Sequence, residues 1–324
     1  MLTSATIENF RGIERLQVEG LGRVNLIIGR NDSGKTALME ALQMLWDLED
    51  AGFVLFARQA ARHPDTKFMD FDDFWLPIFR RMDARRGFRI GGTDSQGKWR
   101  QLAVAKAPTA TFAVQAPEEG VGAEARTSWA LDWTMTHGQT SEVRMLGSDG
   151  KSIRFPTLLK PPEGRTWINP SPSVTATDIR TLSRLKQQGR GDAVVSLLRL
   201  INERVSGVEL LAPTGERATV FVRLEHDGLL PLSMMGEGAK RSFELAIALA
   251  SEQHPVLCID EVENGLHHST LESLAVPGHR TPPWRWVTRV GSAPISRCCR
   301  TPSGFIRRCK TRRASIRTML RSTH

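Results

Sequence analysis

One eight-residue stretch, Gly29-Arg30-Asn31-Asp32-Ser33-Gly34-Lys35-Thr36, constrains this chain more than any other. It reads G-x-x-x-x-G-K-T, the spacing of a phosphate-cradling loop. Its flanks suit that reading. Val24-Asn25-Leu26-Ile27-Ile28 is a short apolar run rich in β-branched residues, and Thr36 to Trp46 has helical spacing. Leu38, Leu42 and Leu45 recur at i, i+4 and i+7 with Ala41 beside them, which makes one helical face apolar. Strand, glycine loop and helix together present backbone N–H groups at the positive end of a helix. Gly29 and Gly34 allow the chain turns and close approaches that a side chain would block. Lys35 supplies a point charge to phosphate oxygens, and the Thr36 hydroxyl is placed to ligate Mg²⁺. The candidate nucleotide-binding residues are therefore Gly29, Asn31, Ser33, Gly34, Lys35 and Thr36.

A second stretch supplies carboxylates. Pro255-Val256-Leu257-Cys258-Ile259-Asp260-Glu261 is a continuous apolar run ending in two acids. Such a run suits a strand buried on both faces of a parallel sheet, and ligands bind at the carboxyl ends of those strands. Asp260 is the candidate second Mg²⁺ ligand, through water, and Glu261 the candidate group that orients or deprotonates an attacking water. A third stretch lies just upstream. Leu232-Ser233-Met234-Met235-Gly236-Glu237-Gly238-Ala239-Lys240-Arg241 leads into a helix with Phe243, Ile247 and Ala250 on one side and Leu245 and Leu249 widening the face. Glycines at a helix start expose N–H groups to an anion, so Gly236 and Gly238 join the candidate site.

The rest of the chain reads as a frame around these stretches. Residues 2–8 and 14–19 are expected as strands around the break Asn9-Phe10-Arg11-Gly12. Residues 53–82 read as a helical connector anchored by Phe68, Phe71, Phe74, Trp75 and Phe79. Between about 87 and 158, short runs such as Phe88–Ile90, Trp99–Val104, Thr111–Val114, Trp129–Trp133 and Ile153–Phe155 alternate with turns, which predicts an inserted antiparallel β lobe. Pro156–Pro172 is expected to be a loop. Helices follow at Thr175–Lys186 and Asp192–Arg204, then strands at Val208–Leu211 and Ala218–Leu224.

Composition enters mainly through charge. The net charge is +9, yet residues 276–324 hold eleven Arg, one Lys and no acidic residue, leaving 32 basic against 35 acidic side chains in the other 275. A nucleic-acid argument from charge therefore rests on the tail. The tail lacks helical or strand periodicity. Three readings of it stand open: an out-of-frame gene end, a disordered basic arm for nucleic acid, and a divergent fold. Four cysteines, at 258, 298, 299 and 309, form neither a disulfide framework nor a zinc spacing. No run approaches the roughly 18 apolar residues of a membrane span, and the N-terminus lacks an export pattern. A cytoplasmic protein without a membrane partner is the expectation.

Ile7-Glu8-Asn9-Phe10-Arg11-Gly12, GRNDSGKT, MGEGAKR and CIDEVENGLH, in that order, resemble the ATPase heads of the ABC superfamily. More narrowly they are similar to RecF/SMC-like AAA-type ATPases, including the ATPase half of the overcoming-lysogenization-defect proteins. The resemblance covers about 1–60 and 175–274. It implies a head-to-tail homodimer that buries two ATP molecules, with Gly236 and Gly238 reaching the γ-phosphate bound at the partner's Lys35. It also implies that Glu263-Asn264-Gly265-Leu266-His267 crosses to the partner. The chain departs from the family in four respects. Met235 stands where the family carries serine before its signature glycines, with Ser233 nearby. The middle lobe is too short for a long coiled coil, no nuclease domain follows, and no histidine in the tail matches the family's switch. The adjacent His267 and His268 lack partner ligands for a metal.

The expected fold is α/β: a P-loop ATPase head with a mainly parallel sheet flanked by helices and an inserted, mainly antiparallel β lobe. The expected divisions are 1–52 for the first part of the head, 53–173 for the connector and lobe, 174–275 for the second part with signature and acidic strand, and 276–324 for the basic tail. The expected activity is Mg²⁺-dependent ATP hydrolysis with Lys35 and Glu261 as catalytic residues and Thr36 and Asp260 as metal ligands. The sequence does not reveal the client: DNA repair, phage defence and a toxin–antitoxin-like partnership stay open, with DNA and a protein encoded nearby as the candidate partners. Two other readings stay open: an ATP-gated scaffold with little turnover, and an ATP-regulated nucleic-acid binder using the tail.

Overall fold

The computed structural model describes residues 1–22, 24–63, 65, 67, 70–107, 111–113, 124–126, 129–148, 153–154, 166–199, 202–213, 215, 218–251, 256–261 and 286–290. In chain order the strands are β1 (Ser4–Phe10), β2 (Ile13–Glu19), β3 (Val24–Ile28), β4 (Phe88–Thr93), β5 (Trp99–Lys106), β6 (Thr111–Ala113), β7 (Glu124–Arg126) and β8 (Trp129–His137). They continue with β9 (Thr140–Ser148), β10 (Ile153–Arg154), β11 (Trp167–Ile168), β12 (Val205–Leu211), β13 (Thr219–Leu224), β14 (Gly228–Pro231), β15 (Leu257–Ile259) and β16 (Trp286–Val290). The α-helices are α1 (Lys35–Trp46), α2 (Ala51–Arg62), α3 (Ala176–Gln187), α4 (Gly191–Arg199) and α5 (Glu237–Ala250). These elements fall into two compact units. One takes the described residues of 1–22 and 32–154, the other those of 24–31 and 166–290.

The first unit is built on a seven-stranded sheet of order β10-β9-β8-β5-β4-β1-β2, antiparallel throughout. Its strands alternate as a half-wet sheet requires. Ala5 and Ile7 of β1 are buried while Thr6 and Glu8 are half-exposed, and Leu102 and Val104 of β5 repeat the pattern beside Gln101 and Ala103. Helix α1 packs on this unit with ten of its residues buried. Gly92 of β4 lets it come close, because a Cβ there would run into the Ser4 carbonyl and the Leu45 side chain. An aromatic cluster completes the core. Phe10 and Phe79 both lie against Phe88, at 5.0 and 5.8 Å between ring centroids, and Trp75 lies 5.6 Å from Trp129. The connector anchors Phe71, Phe74, Trp75 and Phe79 are all buried, whereas Phe68 lies outside the described residues.

The second unit holds a three-stranded antiparallel sheet, β12-β13-β14, and a four-stranded parallel one, β11-β15-β16-β3. Thr175 caps α3 in a capping box with Asp178, fixing where the helix starts. Helix α5 serves both sheets. Phe243, Ala246, Ile247 and Ala250 pack into the cluster that includes Val208, Val220 and Val222, while Leu245, Ala248 and Leu249 pack with Ile168, Leu257 and Ile259. The wide apolar face expected of this helix is thus two faces, one for each sheet.

The expectation of a mainly parallel sheet is corrected. The largest sheet is antiparallel, and the parallel arrangement is confined to four strands. The strands expected as an inserted lobe continue the N-terminal hairpin, since β4 pairs with the open edge of β1 through Thr6↔Gly91, Ile7↔Ile90 and Glu8↔Arg89. A hairpin leaves such an edge of unpaired N–H and C=O groups, and β4 fills it. Strand β11 lies inside the stretch read as a proline-rich loop. Within 276–324 the described residues are Trp286–Val290, which pair with β15 on one side and β3 on the other. Lack of periodicity did not anticipate that strand. The remainder of the tail lies outside the described residues.

Candidate functional site

The loop 29–36 leaves β3 and enters α1. Its turn is made by two left-handed residues, Asp32 at φ +60° and Gly34 at φ +83°. Gly34 is the N-cap of α1, and with no side chain it leaves the helix N-terminus without a side-chain cap. Ile13, from the first hairpin, supports the loop from behind: a Cβ on Gly34 would sit 3.4 Å from the Ile13 Cγ1. Lys35 is buried at 5% exposure and Thr36 is half-buried, while Asn31 and Ser33 are exposed.

The start of α1 is pinned from its own first turns. Glu40 of α1, 1% exposed, pairs with Arg11 at 2.7 Å and Arg62 at 2.6 Å. Arg11 belongs to the turn between β1 and β2 and Arg62 ends α2. Burial pushes the Arg11 guanidinium down to about 10, further than Glu40 restores it, with Arg62 adding repulsion. This triad went unread in the sequence. Its signal is a glutamate in the middle of an otherwise apolar helical stretch, where a buried charge demands partners.

In the second unit all four strands of the small sheet run parallel, so their carboxyl ends share one edge. Strand β3 delivers Gly29 there, and β15 delivers Asp260 and Glu261. One strand, β16, separates them, and two strand spacings amount to about 10 Å. The register aligns Ile259 with Thr288 and Thr288 with Leu26, so β3 runs two residues, about 7 Å, past the level at which β15 ends. Asp260 is buried at 4% exposure, its N–H donating to the Ile168 carbonyl at 2.9 Å. Glu261 has a left-handed backbone, φ +51°, which is uncommon for a residue with a long side chain.

Gly236 is the N-cap of α5, and among the described residues, its chain neighbours aside, no atom lies within 4 Å of where its side chain would begin. Gly238 follows in the first turn, its carbonyl accepting from the Ser242 hydroxyl. Met235, in the place of the family's serine, packs against the core cluster around Phe243, while Ser233 is exposed. The fold therefore uses position 235 for packing.

Arg241, which the sequence reading noted only as the end of the signature stretch, is the link between these parts. It is fully buried and donates through Nη2 to the carbonyls of Asp260 at 2.6 Å and Glu261 at 3.1 Å, and through Nη1 to that of Asn169. Glu244, one turn on, is also fully buried, lies 3.8 Å from Arg241 and accepts from the Ser173 N–H. The available signal was again a charge on an apolar face, since Arg241 shares its side of α5 with Leu245 and Ala248.

Gly29, Asn31, Gly236, Gly238, Asp260 and Glu261 thus belong to the second unit, and Ser33, Gly34, Lys35 and Thr36 to the first. Among the described residues there is no group of three or more His, Cys, Asp or Glu able to cage a metal. Thr36 offers a hydroxyl oxygen and Asp260 a carboxylate, each an oxygen donor of the kind Mg²⁺ takes. The loop Glu263–His267 and the pair His267–His268 lie outside the described residues. Among those described, no helix is long and apolar enough to cross a membrane.

Comparison with known proteins agrees with the motifs. Residues 1–91 match the AAA ATPase domain family, and residues 157–279 match the AAA domain described under "AbiEii toxin, Type IV TA system". The DNA replication and repair protein RecF of Shewanella baltica is 32% identical over 101 residues, 29% of this chain and 26% of that one. The ATP/GTP phosphatase of Helicobacter pylori is 20% identical over 307 residues, 85% of this chain and 79% of that one. The chain spans 26% of the length of the first curated relatives it matches. A solved structure of an SMC head bound to the C-terminal winged-helix domain of ScpA aligns over 90% of this chain and 89% of that one, at 8% identity and a TM-score of 0.46. Both matched stretches are thus similar to AAA-type ATPase domains, and the first part of the chain is similar to RecF, which supports the reading of an ATP-binding ATPase head.

Proposed function

We propose that this head binds ATP with Mg²⁺ and hydrolyses it at the interface of a head-to-tail dimer. The observation that carries the reading is the shared carboxyl edge: β3 leads into the phosphate loop where β15 presents Asp260 and Glu261. Backbone N–H groups of 29–36 bind the phosphates and Lys35 neutralises their charge. Thr36 and Asp260 hold Mg²⁺, which when bound offsets negative charge on the transferring phosphoryl group. Glu261 orients a water in line with the γ-phosphate and accepts its proton as the new P–O bond forms. ADP carries away the electron pair of the broken bond. Gly236 and Gly238 of one head meet the γ-phosphate held by the other, and the open space beside Gly236 favours that approach.

Steady-state turnover of the purified protein with Mg²⁺-ATP, measured against Lys35→Ala and Glu261→Gln, tests the reading. Lys35→Ala should abolish nucleotide binding. Glu261→Gln should bind ATP, accumulate as dimer by light scattering and lose about 10²–10⁴-fold in turnover, the usual worth of a general base. Turnover of Glu261→Gln at the parent rate refutes the assignment of the base. The names of its relatives favour DNA as the client, and stimulation of turnover by added DNA checks that choice.

A further inference from the structure

Three backbone carbonyls from two separate strand ends converge on a single guanidinium. Asn169 follows β11, and Asp260 and Glu261 follow β15; all three accept from Arg241 of α5. The planar fork of an arginine can serve several acceptors at once, which a lysine ammonium on its flexible stem cannot do in the same geometry. One turn later Glu244 takes the Ser173 N–H, so a single stretch of α5 grips both 169–173 and 260–261. The same helix begins at Gly236, five residues before Arg241, a rise of about 7–8 Å. Glu261 meanwhile sits at φ +51°, a conformation that persists only where surrounding contacts hold it.

We infer that Arg241 is a positioning residue that couples the N-terminus of α5 to the backbone of Glu261, so that engagement of Gly236 and Gly238 sets the aim of the Glu261 carboxylate. The inference rests on the ATPase reading above and adds its regulation: a head whose signature glycines are unoccupied holds its own base off line. A shift of the helix start travels about one and a half turns to Arg241 and then through two hydrogen bonds to residues 260 and 261. Arg241 touches neither nucleotide nor water in this scheme. It acts through Glu261.

The test compares the full chain with Arg241→Lys and with Arg241→Met/Glu244→Gln. The double variant removes both buried charges while keeping an acceptor for Ser173, which guards against simple failure to fold. Affinity is read with a fluorescent ATP analogue and Mg²⁺, kcat and KM from steady-state turnover, and local opening from amide hydrogen exchange of 256–261. The expected result is a kcat lower by about 10²-fold, as a misplaced catalytic group gives, with affinity and KM within about threefold. Exchange should rise at 256–261 and stay unchanged in β4 and β5. An unchanged kcat overturns the inference, as does a parallel loss of affinity and turnover with exchange raised throughout. If the parent protein shows no Lys35-dependent turnover, the ATPase reading fails on its own. Exchange then decides for Arg241: unchanged protection at 256–261 overturns its hold on that segment, and locally raised exchange sustains it.

Discussion

Replacing Glu40 with glutamine tests the physical account of how the phosphate-loop helix is held. The carboxylate is 1% exposed, and its partners Arg11 and Arg62 are 12% and 34% exposed. Neutralising it leaves the Arg11 guanidinium buried without a counter-charge. Removing one partner of a buried ion pair costs about 3–5 kcal/mol. Gln retains a hydrogen-bond acceptor, and Arg62 can turn to solvent, where an exposed pair contributes about 0–1 kcal/mol. The expected loss is therefore near the lower bound, about 3 kcal/mol, or roughly 6–12 °C in Tm for a unit of this size. Urea and thermal unfolding followed by circular dichroism measure it. A second variant, Arg11→Met/Glu40→Met, removes both buried charges and fills the space with apolar groups, so it should recover most of the loss. If Glu40→Gln unfolds within about 0.5 kcal/mol of the parent, or the double variant is as unstable as the single, the triad does not secure α1 as argued.

Two further perturbations probe the antiparallel sheet. Gly92→Ala should destabilise the protein by about 3 kcal/mol or more, because the new Cβ meets the Ser4 backbone, which cannot yield without breaking the β1–β4 pairing; an unchanged unfolding midpoint would contradict that close approach. Burial alone would raise the carboxyl of Asp94, but N–H donation from Gln96 and Lys98 and nearby positive charge outweigh it and hold its pKa below the ordinary value. A lowered folded-state pKa stabilises the fold above the unfolded-state pKa, about 3.9, and that contribution is lost as the pH falls through the folded value. Asp94→Asn should therefore flatten the acid limb of the stability profile, read as urea midpoints between pH 7 and pH 3.

The elements that carry the candidate residues were legible because their logic is local. The strand–loop–helix around Lys35, the acidic end of β15 and the glycine start of α5 each lie within a dozen residues, where periodicity and turn chemistry decide the structure. Other elements gave no such signal. Strand β9 is exposed over its first four residues and so lacks alternation, and β14 is a short strand entered through His226 at φ +72°. Strand β16 sits between two parallel neighbours, so backbone pairing rather than an amphipathic pattern positions it. Of the helix expected over Asp192–Arg204 the structure describes Gly191–Arg199, residues 202–204 are not helical, and Val205 already belongs to β12.

What the sequence alone determined is a set of local elements: a glycine loop between a strand and a helix, an apolar strand ending in Asp260 and Glu261, a helix entered through Gly236, and an order of motifs that resembles an ATPase head. Only the tertiary structure decided how strands share sheets and what the buried charges touch. The N-terminal hairpin could have stood alone, yet its edge is completed by a strand some eighty residues further on, Glu8 pairing with Arg89. Arg241 finds an acceptor 72 residues away at Asn169. Pairing of sheet edges and burial of charge depend on which groups meet after the chain has folded back, and residue patterns a few positions long carry no record of that.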